Sequence, residues 1–239
     1  VTFEPAGHIL GSASVRVALD GGPVVKFSGD LGRPWHPLLV PPAPVGAADY
    51  LVVESTYGDR EHVNTKAQDR LADLIQRTVD RGGVVVVPAF AVDRTEVLLY
   101  HLRQLSDSGR LPRVPIFVDS PMALAALKVY RDAFEQGADD VRPELHDAGE
   151  LFDLPGLKEV HDAEGSKAVT RRHEPGIIIA GAGMASGGRV VHHLKQFLPD
   201  PRHSAALVGF QAAGHRGRSP LGGARRVKIP GPTGRERPA

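Results

Sequence analysis

Three side chains suited to metal chemistry stand at loop starts: His8 in AGHILGSAS, Asp30 in FSGDLGR and Glu54 in YLVVESTYGD. Each sits beside a short apolar, β-like run and is followed by small residues. Imidazole nitrogen and carboxylate oxygen are ligand types that zinc accepts, and one carboxylate's two oxygens can bridge two cations. Taken singly, each residue has an ordinary reading. His8 fits a turn or core histidine, Asp30 fits a turn residue bonding nearby amides, and Glu54 fits the partner of a surface arginine. Their common arrangement of strand, ligand type and small neighbour sets them apart. His8 and Asp30 make two ligands, whereas a catalytic zinc takes three from the protein and keeps a position for water.

A second candidate is the stretch Gly181-Ala182-Gly183-Met184-Ala185-Ser186-Gly187-Gly188. Backbone N–H groups at a helix start can hold a phosphate. The stretch is not a dinucleotide fingerprint, because Ser186 occupies the sixth position, and no Lys-Ser/Thr follows to make a Walker loop. A tight strand–helix turn is the ordinary alternative. His192-His193 follows in the next predicted helix; adjacent helical residues point about 100° apart, so the pair reads as solvated. Arg94 and Arg189, near helix starts, offer either phosphate contacts or surface salt bridges.

These residues need elements to hold them. Ser14–Leu19 alternates loosely and Val24–Phe27 is apolar, with Gly21-Gly22 between them, which predicts a hairpin whose strand partners are expected further upstream. Residues 34–44 are proline-rich and read as an irregular connection. Tyr50–Val53 is the third predicted strand. Beyond Gly58 the rhythm becomes strand, loop, helix. Thr65-Lys66-Ala67-Gln68 is a capping-box pattern ahead of Leu71, Leu74, Ile75 and Val79. Val84–Val87, Ile116–Val118, Ile177–Ile179 and Ala205–Val208 read as buried strands, and Val227–Ile229 as a last short one. Residues 137–175 are polar and weakly periodic. Such alternation predicts a parallel sheet covered by helices, with ligands at the carboxyl ends of its strands. Pro88-Ala89-Phe90, Asp119-Ser120 and Gly181–Gly188 would gather there.

The chain of 239 residues is 41% hydrophobic and 24% charged, enough for one large or two smaller folded domains. It has no cysteine, which excludes disulfides, thiolate nucleophiles and Cys-based zinc ribbons and leads us to expect a cytoplasmic protein. No apolar run approaches the ~20 residues of a membrane-spanning helix, so no membrane partner is expected. The net charge is +1, but from Arg202 onward basic residues (Arg202, Arg216, Arg218, Arg225, Arg226, Lys228, Arg235, Arg237) face a single acid, Glu236. That patch suits phosphates, or a solvated tail.

Taken together, PAGHILGSAS, FSGDLGR, ESTYGD, GGVVVVPAFAVDRTEVLLYHL, VDSPMA and IIIAGAGMASGGRV resemble the metallo-β-lactamase-fold nucleases with a β-CASP insertion, a group of RNA-processing hydrolases. The resemblance runs from about Val1 to Ile229. It implies an α/β fold in which a partial metallo-β-lactamase αββα domain, residues 1–61, carries a Rossmann-like parallel-sheet β-CASP domain, residues 62–229. Residues 230–239 are then a disordered or aberrant tail. The resemblance implies zinc as cofactor, two ions per intact site, and RNA as partner; a homodimer is one possible assembly. His8 would be a terminal ligand to one zinc, Asp30 the bridging carboxylate, and Glu54 the acid supporting a catalytic histidine. Ser186, Gly187 and Gly188 would lie near an RNA-binding cleft. The implied reaction is in-line attack of a metal-activated hydroxide on phosphorus.

The family's HxHxDH signature, which supplies most of the metal ligands, does not occur in these residues, nor do FSAH-type or HGE-type motifs after Ile229. The expectation is a fragment of a zinc-dependent ribonuclease, inactive as this isolated chain. The alternative is a non-catalytic RNA-binding β-CASP module. A Rossmann-like nucleotide enzyme is disfavoured by the missing glycine fingerprint and the missing acid after the first strand.

Overall fold

A computed structural model describes residues 1–59, 66–146, 150–223, 229–230 and 236–237. Thr65 of the expected capping box, Val227 of the expected last strand, and the basic residues Arg225, Arg226, Lys228 and Arg235 lie outside these. Two compact units result, one from residues 1–65 and 129–150, the other from 66–128 and 151–239.

The first unit is built on four strands in the order β1 (Thr2–Pro5), β2 (Ala13–Ala18), β3 (Val24–Phe27) and β4 (Tyr50–Val52). β1, β2 and β3 are antiparallel neighbours, whereas β4 runs parallel to β3. The β2–β3 hairpin forms where the alternation and the Gly21-Gly22 turn predict it. Its outer partner, β1, was not legible, because four residues ending in proline carry no periodic signal. One face aligns Phe3, Val15, Phe27 and Val52 in a single cross-strand row. The opposite face buries Lys26, whose Nζ donates to Glu4 Oε2 at 2.6 Å and to the carbonyls of Pro44 and Val45.

The later segment of this unit pins the early loops. Tyr130 Oη accepts from Leu10 N at 3.1 Å and Asp140 Oδ2 from Gly11 N at 2.9 Å. Arg142 Nε donates to the His36 carbonyl at 2.5 Å, and Leu39 bridges to Val141. The proline-rich connection is therefore ordered around Leu38 and Leu39, both fully buried.

The second unit alternates α1 (Ala67–Asp80), β5 (Val84–Pro88), α2 (Arg94–Asp107), β6 (Ile116–Asp119), α3 (Pro121–Glu135), β7 (Leu157–Glu159), α4 (Ala163–Thr170), β8 (Gly176–Ala180), α5 (Arg189–Phe197) and β9 (Ser204–Ala205), with α3 running on past this unit's boundary at residue 128. Its five-stranded sheet is all parallel, in the order β7-β6-β8-β5-β9. Val84, Val86, Phe117 and Ile178 pack with Val169, Val190, Leu194 and Phe197 from α4 and α5. The intervening Val85, Val87, Ile116, Val118, Ile177 and Ile179 are equally buried, so both sheet faces are covered, as the β-branched runs predict.

Helix boundaries show where capping chemistry acts. Ser120 Oγ accepts from Ala123 N ahead of Pro121, a favourable cap and first helical position. Asp162 caps α4 by accepting from Gly165 N at 2.7 Å. By contrast, α1 starts after Lys66 with no side-chain cap. Helix α4 and strand β7 arise inside the stretch that showed little periodicity. They are only 8 and 3 residues long, too short for a pattern to emerge. A four-residue helix α6 (Arg218–Leu221) follows, and Ile229–Pro230 (β10) pairs antiparallel with Glu236–Arg237 (β11). No helix among the described residues is long and apolar enough to cross a membrane.

Candidate metal centre and glycine-rich loop

In the first unit, glycine contacts bring His8 and Asp30 together. Gly32 N donates to the Ala6 carbonyl at 2.8 Å, and a β-carbon on Gly32 would stand 1.6 Å from the Gly7 carbonyl oxygen. Gly29, at φ +59°, lies so close to the Ala13 carbonyl that a β-carbon would meet it at 2.9 Å. Ser12 Oγ folds the His8 loop by accepting from His8 N at 3.0 Å and Ile9 N at 3.2 Å. With the backbones locked, His8 Nε2 lies 4.0 Å from Asp30 Oδ2, and both side chains open to solvent at 42% and 79% exposure.

Glu54 supports the same loop. Its Oε1 accepts from Leu31 N at 3.3 Å and its Oε2 from Thr56 N at 2.8 Å, while Glu54 N donates to Ser28 Oγ at 3.0 Å. The hydrogen bonds from Thr56 hold its carboxyl below the usual range. Burial opposes them weakly, and the Leu31 amide and the charge of His8 assist.

A nitrogen and an oxygen at this separation are close to a ligand pair on one ion, for which bonds of about 2.1 Å in tetrahedral array give roughly 3.4 Å. His8 and Asp30 therefore fit zinc as two of its ligands. Among the described residues no group of three or more His, Cys, Asp or Glu converges as a metal site.

In the second unit the register brings Pro88, Asp119 and Ala180 to one edge of the sheet, and the glycine-rich loop springs from it. The loop turns its carbonyls inward. Arg216 Nη1 donates to the carbonyls of Ala185 and Ser186, Gln211 Nε2 to that of Gly183, and Gly217 N to that of Met184. The Gly181 carbonyl accepts from Val190 N at 3.0 Å, and Gly188, at φ +73°, is wedged against it. The N–H groups of Ser186, Gly187 and Gly188 have no hydrogen-bond partner among the described residues. A β-carbon on Gly187 would meet nothing within 4 Å. Free donors beside open space suit an anion.

Two expectations need correction beneath this loop. His193 is not solvated: it is fully buried, with Nε2 2.6 Å from Asp119 Oδ2 and Nδ1 3.1 Å from Thr170 Oγ1. Its neighbour His192 is exposed. The angular argument was sound, but one of two diverging side chains on a half-buried helix must face the core. Arg189 is the second. Its Nη1 donates to Asp119 Oδ1 at 2.7 Å and to the Val160 carbonyl, and its Nη2 to the His161 carbonyl. Its salt bridge therefore runs inward, to a fully buried carboxylate. Burial favours the neutral form of Asp119, but hydrogen bonds from His193, Ser166 and Arg189 prevail and keep the carboxyl below its ordinary range. Arg94, at the start of α2, turns its Nε inward, where it finds no partner among the described residues.

Comparison with known proteins places this geometry. The Beta-Casp domain pattern matches residues 95–219. Ribonuclease TTHA0252 of Thermus thermophilus is 38% identical over 91% of this chain and 50% of its own length. Transcription termination factor FttA of Thermococcus kodakarensis is 33% identical over 98% of this chain and 37% of its own length. An RNase J-like protein of Methanocaldococcus jannaschii is 32% identical over 95% and 52%. The chain thus spans about half, or less, of the length of these relatives. It belongs to the metallo-β-lactamase β-CASP ribonuclease family.

Proposed function

We propose that this chain is part of a zinc-dependent ribonuclease that hydrolyses RNA phosphodiester bonds, working in the cytoplasm. The observation that carries the reading is the convergence of His8 Nε2 and Asp30 Oδ2 at 4.0 Å on glycine-locked loops, in a chain similar to a protein named as a ribonuclease. The first unit then belongs to the metallo-β-lactamase domain and the second to the β-CASP domain. His8 and Asp30 hold metal, and Asp30 can offer one oxygen to each of two ions. Glu54 fixes the Leu31 amide and through it the direction in which Asp30 points. Zinc, when bound, acidifies a water so that hydroxide is available at neutral pH. The amides of Ser186, Gly187 and Gly188 receive phosphate oxygens of the RNA strand.

Two ligands hold metal weakly, because affinity grows with ligand number and with the groups that orient each ligand. The isolated 239-residue polypeptide is therefore expected to lose zinc on dialysis and to leave labelled RNA uncut with or without added zinc. Two zincs per chain retained after dialysis, with zinc-dependent cleavage, would overturn the inactive-chain reading. A second reading, a non-catalytic RNA-binding module, is favoured by the parallel sheet of the second unit, buried on both faces. RNA binding by the isolated chain without cleavage matches it, and absence of RNA binding removes it.

A further inference from the structure

One carboxylate grips the first turn of α5 at both ends. Asp119 Oδ1 takes Arg189, the first helical residue, and Oδ2 takes His193, one turn later. Ser166 Oγ also donates to Oδ2, at 2.6 Å, and ties α4 to the same atom. Thr170 Oγ1, which donates to the Ser166 carbonyl at 2.8 Å, lies 3.1 Å from His193 Nδ1. An ionised Asp119 can only accept, so His193 Nε2 donates to it. A single buried carboxylate thus holds a guanidinium and an imidazole that lie four residues apart on one helix.

This grip reaches the glycine-rich loop because Gly188 immediately precedes Arg189. The Gly188 backbone is packed so tightly that a β-carbon would stand 2.5 Å from the Gly181 carbonyl oxygen. Helix and loop therefore move together. A change in the rotation or axial position of α5 re-aims the amides of Ser186, Gly187 and Gly188. We propose that Asp119 is the positioning residue of this loop, setting its free amides, through Arg189 and His193, in the array that receives RNA phosphates. The proposal rests on the reading of residues 186–188 as an RNA contact.

The test uses the full chain and a short fluorescein-labelled single-stranded RNA. Anisotropy gives the dissociation constant, and backbone amide resonances of residues 186–189 give a spectroscopic readout. Asp119→Asn keeps the shape but removes the charge. Loss of charge-assisted hydrogen bonds predicts about tenfold weaker RNA binding, together with displaced amide resonances at residues 186–189. A merely structural role would lower the melting temperature and leave both readouts of the folded protein unchanged, and that result overturns the proposal. If Asp119→Asn fails to fold, Arg189→Lys serves: it keeps a cation but loses the fork that reaches the Val160 and His161 carbonyls, so the same weakening is expected. Gly187→Asp separates the two ideas. Its β-carbon enters open space, so the fold survives while a negative charge enters the loop. If Gly187→Asp leaves RNA binding unchanged, the loop reading falls and the positioning role falls with it. If Gly187→Asp weakens binding and the Asp119 and Arg189 variants do not, only the positioning role is lost.

Discussion

The carbonyl oxygen of Gly7 occupies the place that a β-carbon on Gly32 would need, only 1.6 Å away. This backbone contact, sealed by the Gly32 N to Ala6 O hydrogen bond, holds the loop that carries His8 against the loop that carries Asp30. Any side chain at residue 32 must push the two loops apart. Gly32→Ala is therefore expected to destabilise the chain by about 3 kcal/mol and to widen the His8–Asp30 separation. Urea unfolding reads the first effect, and loss of zinc binding reads the second. A Gly32→Ala chain as stable as the parent would show that the loops are not locked in this way.

A buried carboxyl in the second unit predicts an unusual pH response. Glu96 is fully buried, and neither of its oxygens has a hydrogen-bond partner among the described residues. Burial, with some help from the charge of Asp93, pushes its carboxyl from an ordinary 4.5 up to about 8. The folded pKa lies above the unfolded one, so its contribution is fully present below pH 4.5. It is lost as pH rises and the unfolded chain ionises first, until the folded form also ionises near 8. The loss totals about 5 kcal/mol as an order of magnitude. Glu96→Gln removes the ionisable group, so the variant should be more stable than the parent at pH 7 and the difference should shrink towards pH 4. Equal stabilities at pH 7 would mean that Glu96 is solvated or paired.

His203 acts with the opposite sign. Its Nδ1 accepts from Val84 N at 2.8 Å, at the first residue of β5, and this requires an unprotonated Nδ1. Burial lowers its pKa, outweighing the raising influence of Asp200. The neutral ring is thus favoured by folding. Its contribution is present above the unfolded value of 6.5 and is lost as pH falls below it. His203→Gln should flatten the stability profile of the second unit on the acid side of pH 6.5. Melting temperatures recorded with and without the substitution check this, and identical acid limbs would refute it.

How far the sequence could be read follows from the range of each signal. Fully buried parallel strands such as Val84–Val87 and Ile177–Ile179 were legible because β-branched runs have few other uses. The approach of His8 to Asp30 was legible because glycines on both sides of a polar residue mark close backbone packing, and the Gly7–Gly32 contact is that packing. Tyr130 and Asp140, which pin residues 10 and 11, were not legible: a hydrogen bond between residues 120 or more positions apart leaves no local pattern. His193 misled for a related reason. Adjacent histidines at the surface of a predicted helix give no hint that a carboxylate 74 residues earlier will claim one of them.

Glu54 offers the sharpest check on the candidate metal centre, because it can be altered without removing a ligand. Its two oxygens satisfy the amides of Leu31 and Thr56. Truncation frees the Leu31 amide and with it the direction of the neighbouring Asp30 side chain. Groups that orient a ligand typically account for a factor of about ten or more in metal affinity. Glu54→Ala should therefore weaken zinc binding by about tenfold, whereas Glu54→Gln, which keeps an oxygen acceptor, should fall between that variant and the parent. Isothermal titration of zinc into the three chains provides the comparison, with His8→Ala as the reference for loss of a ligand. If Glu54→Ala binds zinc as the parent does while His8→Ala does not, the acid plays no part in aiming Asp30. If none of the substitutions alters binding, His8 and Asp30 are not metal ligands in this chain.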